Sequence, residues 1–203
     1  MQAIRGGRMI GNKRRKSKGA LVADYAATLC VLMLFLVFPL LDYSVLGMRA
    51  FFLWFAANQA VMAACKAKTF LQPVENPGQP GVNFPSACEL ARTRVNQIKS
   101  ILPGIDWVQN DNNPDVQIIR QPINPTAKGA QPAAVFSRGH GAPLSAADAP
   151  DQTLNVYLCR VVIKGKVDPL ITLPWFNIPG MSKPLDLTVS SQAQYENVSG
   201  LII

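Results

Sequence analysis

Apolar positions crowd into one stretch near the start of the chain. Residues 26–41 carry no charge and a single hydroxyl, Thr28. Together with 20–25 they make about 22 residues, which as a helix would span ~33 Å, close to the ~30 Å hydrocarbon core of a bilayer. Residues 31–38 are apolar on every helical face, whereas a helix of a globular domain keeps a polar stripe. The pattern predicts a transmembrane helix over 20–42. The apolar character continues past Asp42 through 43–48, 50–57 and 60–65, and ends at Lys66 and Lys68. Only Pro39 is a strong helix breaker before residue 72, and Gly47 is a soft spot. One continuous or once-kinked helix of this length would run ~75 Å, more than a bilayer needs. Residues 43–71 are therefore expected to be a helical extension that projects outward or lies at the membrane interface, where Tyr43, Trp54 and the phenylalanines are at home. A second span returning across the membrane would have to turn between Asp42 and Gly47, which offers little room.

Beyond residue 71 the period changes. Residues 72–85 hold four prolines and two glycines and read as a linker. Ser86 can cap a short helix over 87–102, with Leu90, Val95, Ile98 and Leu102 as its inward stripe and Pro103-Gly104 as its stop. Residues 110–114 suggest a turn, 116–119 a short strand, and 121–152 a long irregular loop rich in Pro, Ala and Gly. The best strand is 154–164, with Leu154, Val156 and Leu158 on one face before the phase shifts. Residues 170–176 are apolar again, and Pro179-Gly180 follows. A final strand over 185–195 alternates Leu185, Leu187 and Val189 against Asp186, Thr188 and Ser190. The expected architecture is α+β: a single N-terminal transmembrane helix extended into a long helix, then a small head, 86–203, with a short helix and antiparallel strands.

Charge fixes the orientation. The formal net charge is +8, yet residues 1–19 alone carry seven basic side chains and no acid, and the remaining chain is nearly balanced. The surplus belongs to a tail, so a basic nucleic-acid-binding domain is excluded. Lys and Arg immediately before an apolar span mark its cytoplasmic side, and they contact anionic lipid. A cleaved secretory signal fits poorly, because the apolar run exceeds the usual ~7–15 residues and no small-x-small site follows. A lipoprotein site fits no better, since Leu29 precedes Cys30.

Lys18-Gly19-Ala20-Leu21-Val22-Ala23-Asp24-Tyr25 is the most informative stretch. A basic leader ends in Gly, four apolar residues follow, and an acid with an aromatic opens the helix. This resembles the prepilin-peptidase site of type IV pilin-like proteins, and the acid–aromatic pair looks most like the TadE-type pseudopilins of tight-adherence systems. Those chains usually carry Glu where Asp24 stands. The likeness continues through Leu40-Leu41-Asp42-Tyr43, Arg49, Asn58-Gln59-Ala60 and Ala63-Ala64 before Lys66, and covers roughly 13–68. The resemblance implies a cut between Gly19 and Ala20 by a prepilin peptidase, and an assembly role for Asp24 and Tyr25. It implies other pilin-like subunits and the pilus-assembly machinery as partners, and a pilin-like head on the periplasmic side of a bacterial inner membrane. After such a cut the amine of Ala20 and the carboxylate of Asp24 would lie on one helix face, with the acid complementing the positive end of the helix dipole. The competing reading is an uncleaved bitopic envelope protein whose head binds a partner.

Four cysteines complete the inventory. Cys30 lies in the span and Cys65 ends the long helix, where packing is the ordinary role. Cys88 and Cys159 fall in the exported part, where disulfides persist. A bond between them would tie the short helix to the best strand for about 4 kcal/mol, with Cys65 as the rival partner. No metal-ligand spacing, phosphate loop or nucleophile elbow occurs. The single histidine, His140, sits between glycines in the irregular loop, with Ser137 and Ser145 nearby. The expectation is a protein with no enzymatic activity, no cofactor and no nucleic-acid partner.

Overall fold

The computed structural model describes residues 18–102, 104–108, 113–126, 129, 132–137, 150–172 and 182–202. The chain forms two compact units, Met1–Leu40 and Leu41–Ile203.

In the first unit, α1 (Lys18–Leu32) runs into a π-helical turn, Met33–Val37. Pro39 explains the widening. In a regular α-helix its ring would press on the carbonyl four residues back, and it has no N–H to return. The wider turn absorbs the clash, and the N–H of Phe38 reaches back five residues to the Met33 carbonyl. The one break expected from the sequence is thus a π turn. Helical backbone resumes as α2 (Phe38–Ala64). Val22–Ala64 is one helix of 43 residues, long and apolar enough to cross a membrane.

The second unit is α+β. A two-residue hairpin, β1 (Val74–Glu75) and β2 (Asn83–Phe84), precedes α3 (Ala87–Lys99). The main sheet contains β3 (Ile105–Trp107), β4 (Asp115–Pro122), β5 (Ala134–Ser137), β6 (Asn155–Val167) and β7 (Leu185–Gln194). Every pairing is antiparallel. β6 is the hub: β7 runs along 158–167 on one side, while β4 along 155–162 and β3 along 165–167 share the other. β5 extends the sheet beyond β4. A 3-10 turn, Val198–Ile202, closes the chain.

The stretch expected as a linker folds into the β1–β2 hairpin, whose Pro- and Gly-rich loop includes Gly81 at a positive φ of 83°. Lys68 packs its ammonium 3.5 Å from the Phe84 ring centroid, so the hairpin is fastened to the chain after α2. α3 begins where Ser86 predicts, with a reciprocal capping box between Ser86 and Glu89. It ends at Lys99, short of the expected residue 102, and its buried face is Ala87, Cys88, Ala91 and Val95; of the expected stripe, Leu90 and Ile98 are only partly buried, as is Leu102 beyond the helix.

The core lies between the sheet and two helices. α2 contributes Leu53, Ala56, Ala57, Ala60, Val61 and Ala64, all without solvent exposure. Four alanines bring the helix backbone close to the sheet, and Gly165 leaves room where Leu53 presses against β6. The helical stretch expected at the membrane interface, 43–71, therefore supplies the spine of the head. In β6 the phase of the expected strand is corrected. Asn155, Tyr157, Cys159, Val161, Ile163 and Val167 form the buried face without any shift, and Val156 and Leu158 face the other way, half-buried. The outward alternation of β7 follows the expected pattern, with Leu185, Leu187 and Val189 half-buried.

Candidate assembly face

Gly19 and Ala20 lie in the first turn of α1. Asp24 and Tyr25 follow one turn later, and both are exposed, Tyr25 by 70%. The Asp24 carbonyl accepts the Thr28 hydroxyl at 2.8 Å. Its carboxylate makes no hydrogen bond or ion pair among the described residues. Around it the helix presents Val22, Leu29, Val31, Leu32, Phe35 and Leu36 outward. An acid on such a helix costs ~2.5–3.5 kcal/mol at mid-bilayer and less near the edge. A cationic partner would offset that cost.

In the second unit, α2 has a second, outward stripe. Met48, Phe51, Trp54, Phe55 and Met62 are exposed at intervals of three, four and seven residues. The Phe51 ring lies 6.0 Å from Phe52 and 5.9 Å from Trp54. Beside the stripe, Phe55 and Gln59 of α2 meet Arg94, Ile98 and Ile101 around a shallow groove of about 220 Å³. Ile101 is 74% exposed at its rim.

Three polar residues of α2, Asp42, Arg49 and Asn58, point into the head. Asp42 is fully buried, and one carboxylate oxygen accepts the Ile171 N–H at 2.9 Å while the other has no partner. Seven residues on, Arg49 donates to the Asp168 carbonyl and lies against Gly104, whose φ is +79°. A Cβ at Gly104 would overlap the guanidinium. Asn58 accepts the Ser191 hydroxyl at 3.2 Å. These residues, singled out by the pseudopilin likeness, pin the segment after β6 and strand β7 to the helix. Gln59 alone of that set lines the outer groove.

The disulfide expected between Cys88 and Cys159 is not formed. Cys65, Cys88 and Cys159 are instead buried in the one core, and Cys30 is exposed on the first helix. Burial sets the chemistry of these thiols in the fold. It holds the Cys159 thiol far above its ordinary value, reinforced by the neighbouring Cys65 and Cys88. Burial and then Glu196 push Cys65 up in the same way. A thiol kept protonated is a poor nucleophile for disulfide exchange. Tyr195 joins this cluster, its hydroxyl also raised by burial and by the same thiols.

Among the described residues no group of three His, Cys, Asp or Glu side chains is placed to hold a metal. His140 and Ser145 lie outside the described residues, as do Trp175 and Phe176. The outer groove and a larger cavity beside Asn155 had no sequence signal, because each is assembled from residues far apart in the chain. Compared with protein-family models, curated proteins and solved structures, the chain shows no significant match.

Proposed function

We propose that this chain is a pilus-assembly subunit, a TadE-like pseudopilin of a tight-adherence or related secretion system. In this reading the basic leader stays on the cytoplasmic side of a bacterial inner membrane, α1 inserts, and the α+β head lies in the periplasm. A prepilin peptidase cuts between Gly19 and Ala20, and the head and helix then pack against other pilin-like subunits.

The observation that carries the reading is the exposed Asp24 residue, the one charged position of the helix between Val22 and Val37. An amine freed at Ala20 on a neighbouring subunit is the cation it needs. The outward stripe of Met48, Phe51, Trp54 and Phe55 supports the same reading, since it gives α2 an apolar face toward other helices while its opposite face is spent on the sheet.

The test is Asp24→Ala in cells that make the filament or secretion system. Loss of assembly with unchanged membrane insertion is the expected result. Unchanged output would remove the main support for the assembly role and favour an anchored envelope protein.

A further inference from the structure

We infer that the two edges of the main sheet join copies of this chain head to tail, with β7 of one subunit pairing with β5 of the next. The inference rests on the assembly role proposed above and names the surface that serves it.

The hydrogen-bond phase of β7 is set at its end. The Tyr195 N–H donates to the Tyr157 carbonyl at 2.9 Å, continuing the register that pairs Leu158 with Gln194. Odd-numbered residues of β7 therefore bond β6, and the backbone groups of Asp186, Thr188, Ser190, Gln192 and Gln194 face away from it. The next N–H in that row, of Glu196, is taken by the Cys65 carbonyl at 3.0 Å. Those of 186–194 have no backbone partner among the described residues. A bare edge of this length is a template for another strand, and β7 lacks the usual devices that blunt one. It holds no proline, glycine or lysine, and its register with β6 is unbroken from Leu185 to Gln194. The far edge is read in the same way. The Ile123 N–H donates to the Leu154 carbonyl at 2.9 Å in the register of β4 with β6. Even residues of β4 are thus left to bond β5, Ile118 with Phe136 and Arg120 with Ala134, and the backbone groups of Val135 and Ser137 face outward.

The topology selects the occupant. β5, β4, β6 and β7 alternate in direction, so β5 of one copy meets β7 of an identically oriented copy as an antiparallel pair. Their outward backbone groups and their inward faces then fall in step. Two β7 edges pair antiparallel only when one copy is turned end for end, which chains inserted the same way into one membrane do not allow. The side chains agree. Leu187, Val189 and Ala193 on β7 and Phe136 on β5 face inward but are only partly buried, and joining the edges covers them. Asp186 is the single charge on either strand, so no like charges oppose. The Ser191 hydroxyl meets Asn58 of α2, and Phe51, Trp54 and Met62 flank Asn58 by helical spacing. The exposed stripe of α2 therefore borders the same edge.

The experiment uses the full chain with Cys30→Ser, the other three cysteines being buried, in cells that make the filament or secretion system. Val135→Cys is combined with Thr188→Cys or with Ser190→Cys, the two registers that set Phe136 opposite Leu187 or Val189. All three positions are exposed. Oxidation of membranes with copper phenanthroline should give a ladder of dimers, trimers and longer species from one double variant, and monomer from every single variant. Ser190→Pro or Thr188→Pro, at whichever position carries no cysteine, removes an N–H that faces away from β6 and so spares the fold. It should cut the cross-linked fraction about tenfold, the factor carried by roughly 1.4 kcal/mol. Dimers from a single β7 cysteine, no ladder from either double variant, or a ladder untouched by the proline would each overturn the proposal. Asp24→Ala separates it from the assembly role: output lost there with no ladder sinks the edge pairing alone, and a ladder with output unchanged in Asp24→Ala keeps the pairing and sinks the role.

Discussion

Asp42 shows how far one buried side chain can be read. Its position after the apolar run fits a membrane-edge acid, yet in the fold it receives the Ile171 N–H inside the head. Asp42→Ala leaves that N–H without its acceptor, so a loss of about 1–3 kcal/mol in unfolding free energy is expected. Chemical denaturation of the wild type and the variant under matched conditions measures it. Ser86 was legible at once, because a Ser followed three residues later by Glu89 is a local signal, and the capping box formed. The thiols were not legible. Their spacing says nothing about burial, and burial decides their chemistry. The sign of the pH effect follows. Cys159 and Tyr195 have native values raised above the ordinary 9.0 and 10.0, so the native state holds its protons where the unfolded state releases them. The stability from these groups is complete below pH about 9 and declines as pH rises above it. A stability profile from pH 7 to 11 should fall at its alkaline end, and Cys159→Ala should flatten the fall. With no Cys88–Cys159 disulfide in the fold, four cysteines should react after unfolding without reductant; a count of two would mean that a disulfide exists in the cell.

At the scale of elements, α2 serves two environments. Its alanine-rich face is spent on the sheet, and its aromatic stripe faces outward. The long apolar helix was plain in the sequence because no polar residue interrupts it for several turns. Its partition into a spine and an outward stripe was not, because apolar residues on all sides give no phase. The same limit misplaced β6. Asn155, Tyr157 and Cys159 look less apolar than Leu154, Val156 and Leu158, yet the first set is the buried one. β7 was easier, since one of its faces is solvated and its alternation is clean. For the stripe, Phe51→Ser with Trp54→Ser should leave head stability within about 0.5 kcal/mol, as surface changes usually do. The same pair should reduce co-purification with partner subunits. Retained partner binding would assign the stripe to lipid contact alone.

At the scale of the whole chain, 43 helical residues are about twice the ~20 that a bilayer span requires. The surplus is used inside the head, where Leu53 to Ala64 fill the core. Under the proposed assembly role, the basic N-terminal stretch would be a leader, and the apolar helix that opens on an acid would carry the head built on its second half. That account stands or falls on whether the leader is removed. The decisive measurement is intact mass of the membrane-extracted protein followed by N-terminal sequencing. The account predicts a mature chain that begins at Ala20, with Asp24 placed to meet a neighbouring amine. A chain that still carries Met1 through Gly19 would contradict it and leave Asp24 as an interfacial residue of a permanently anchored protein.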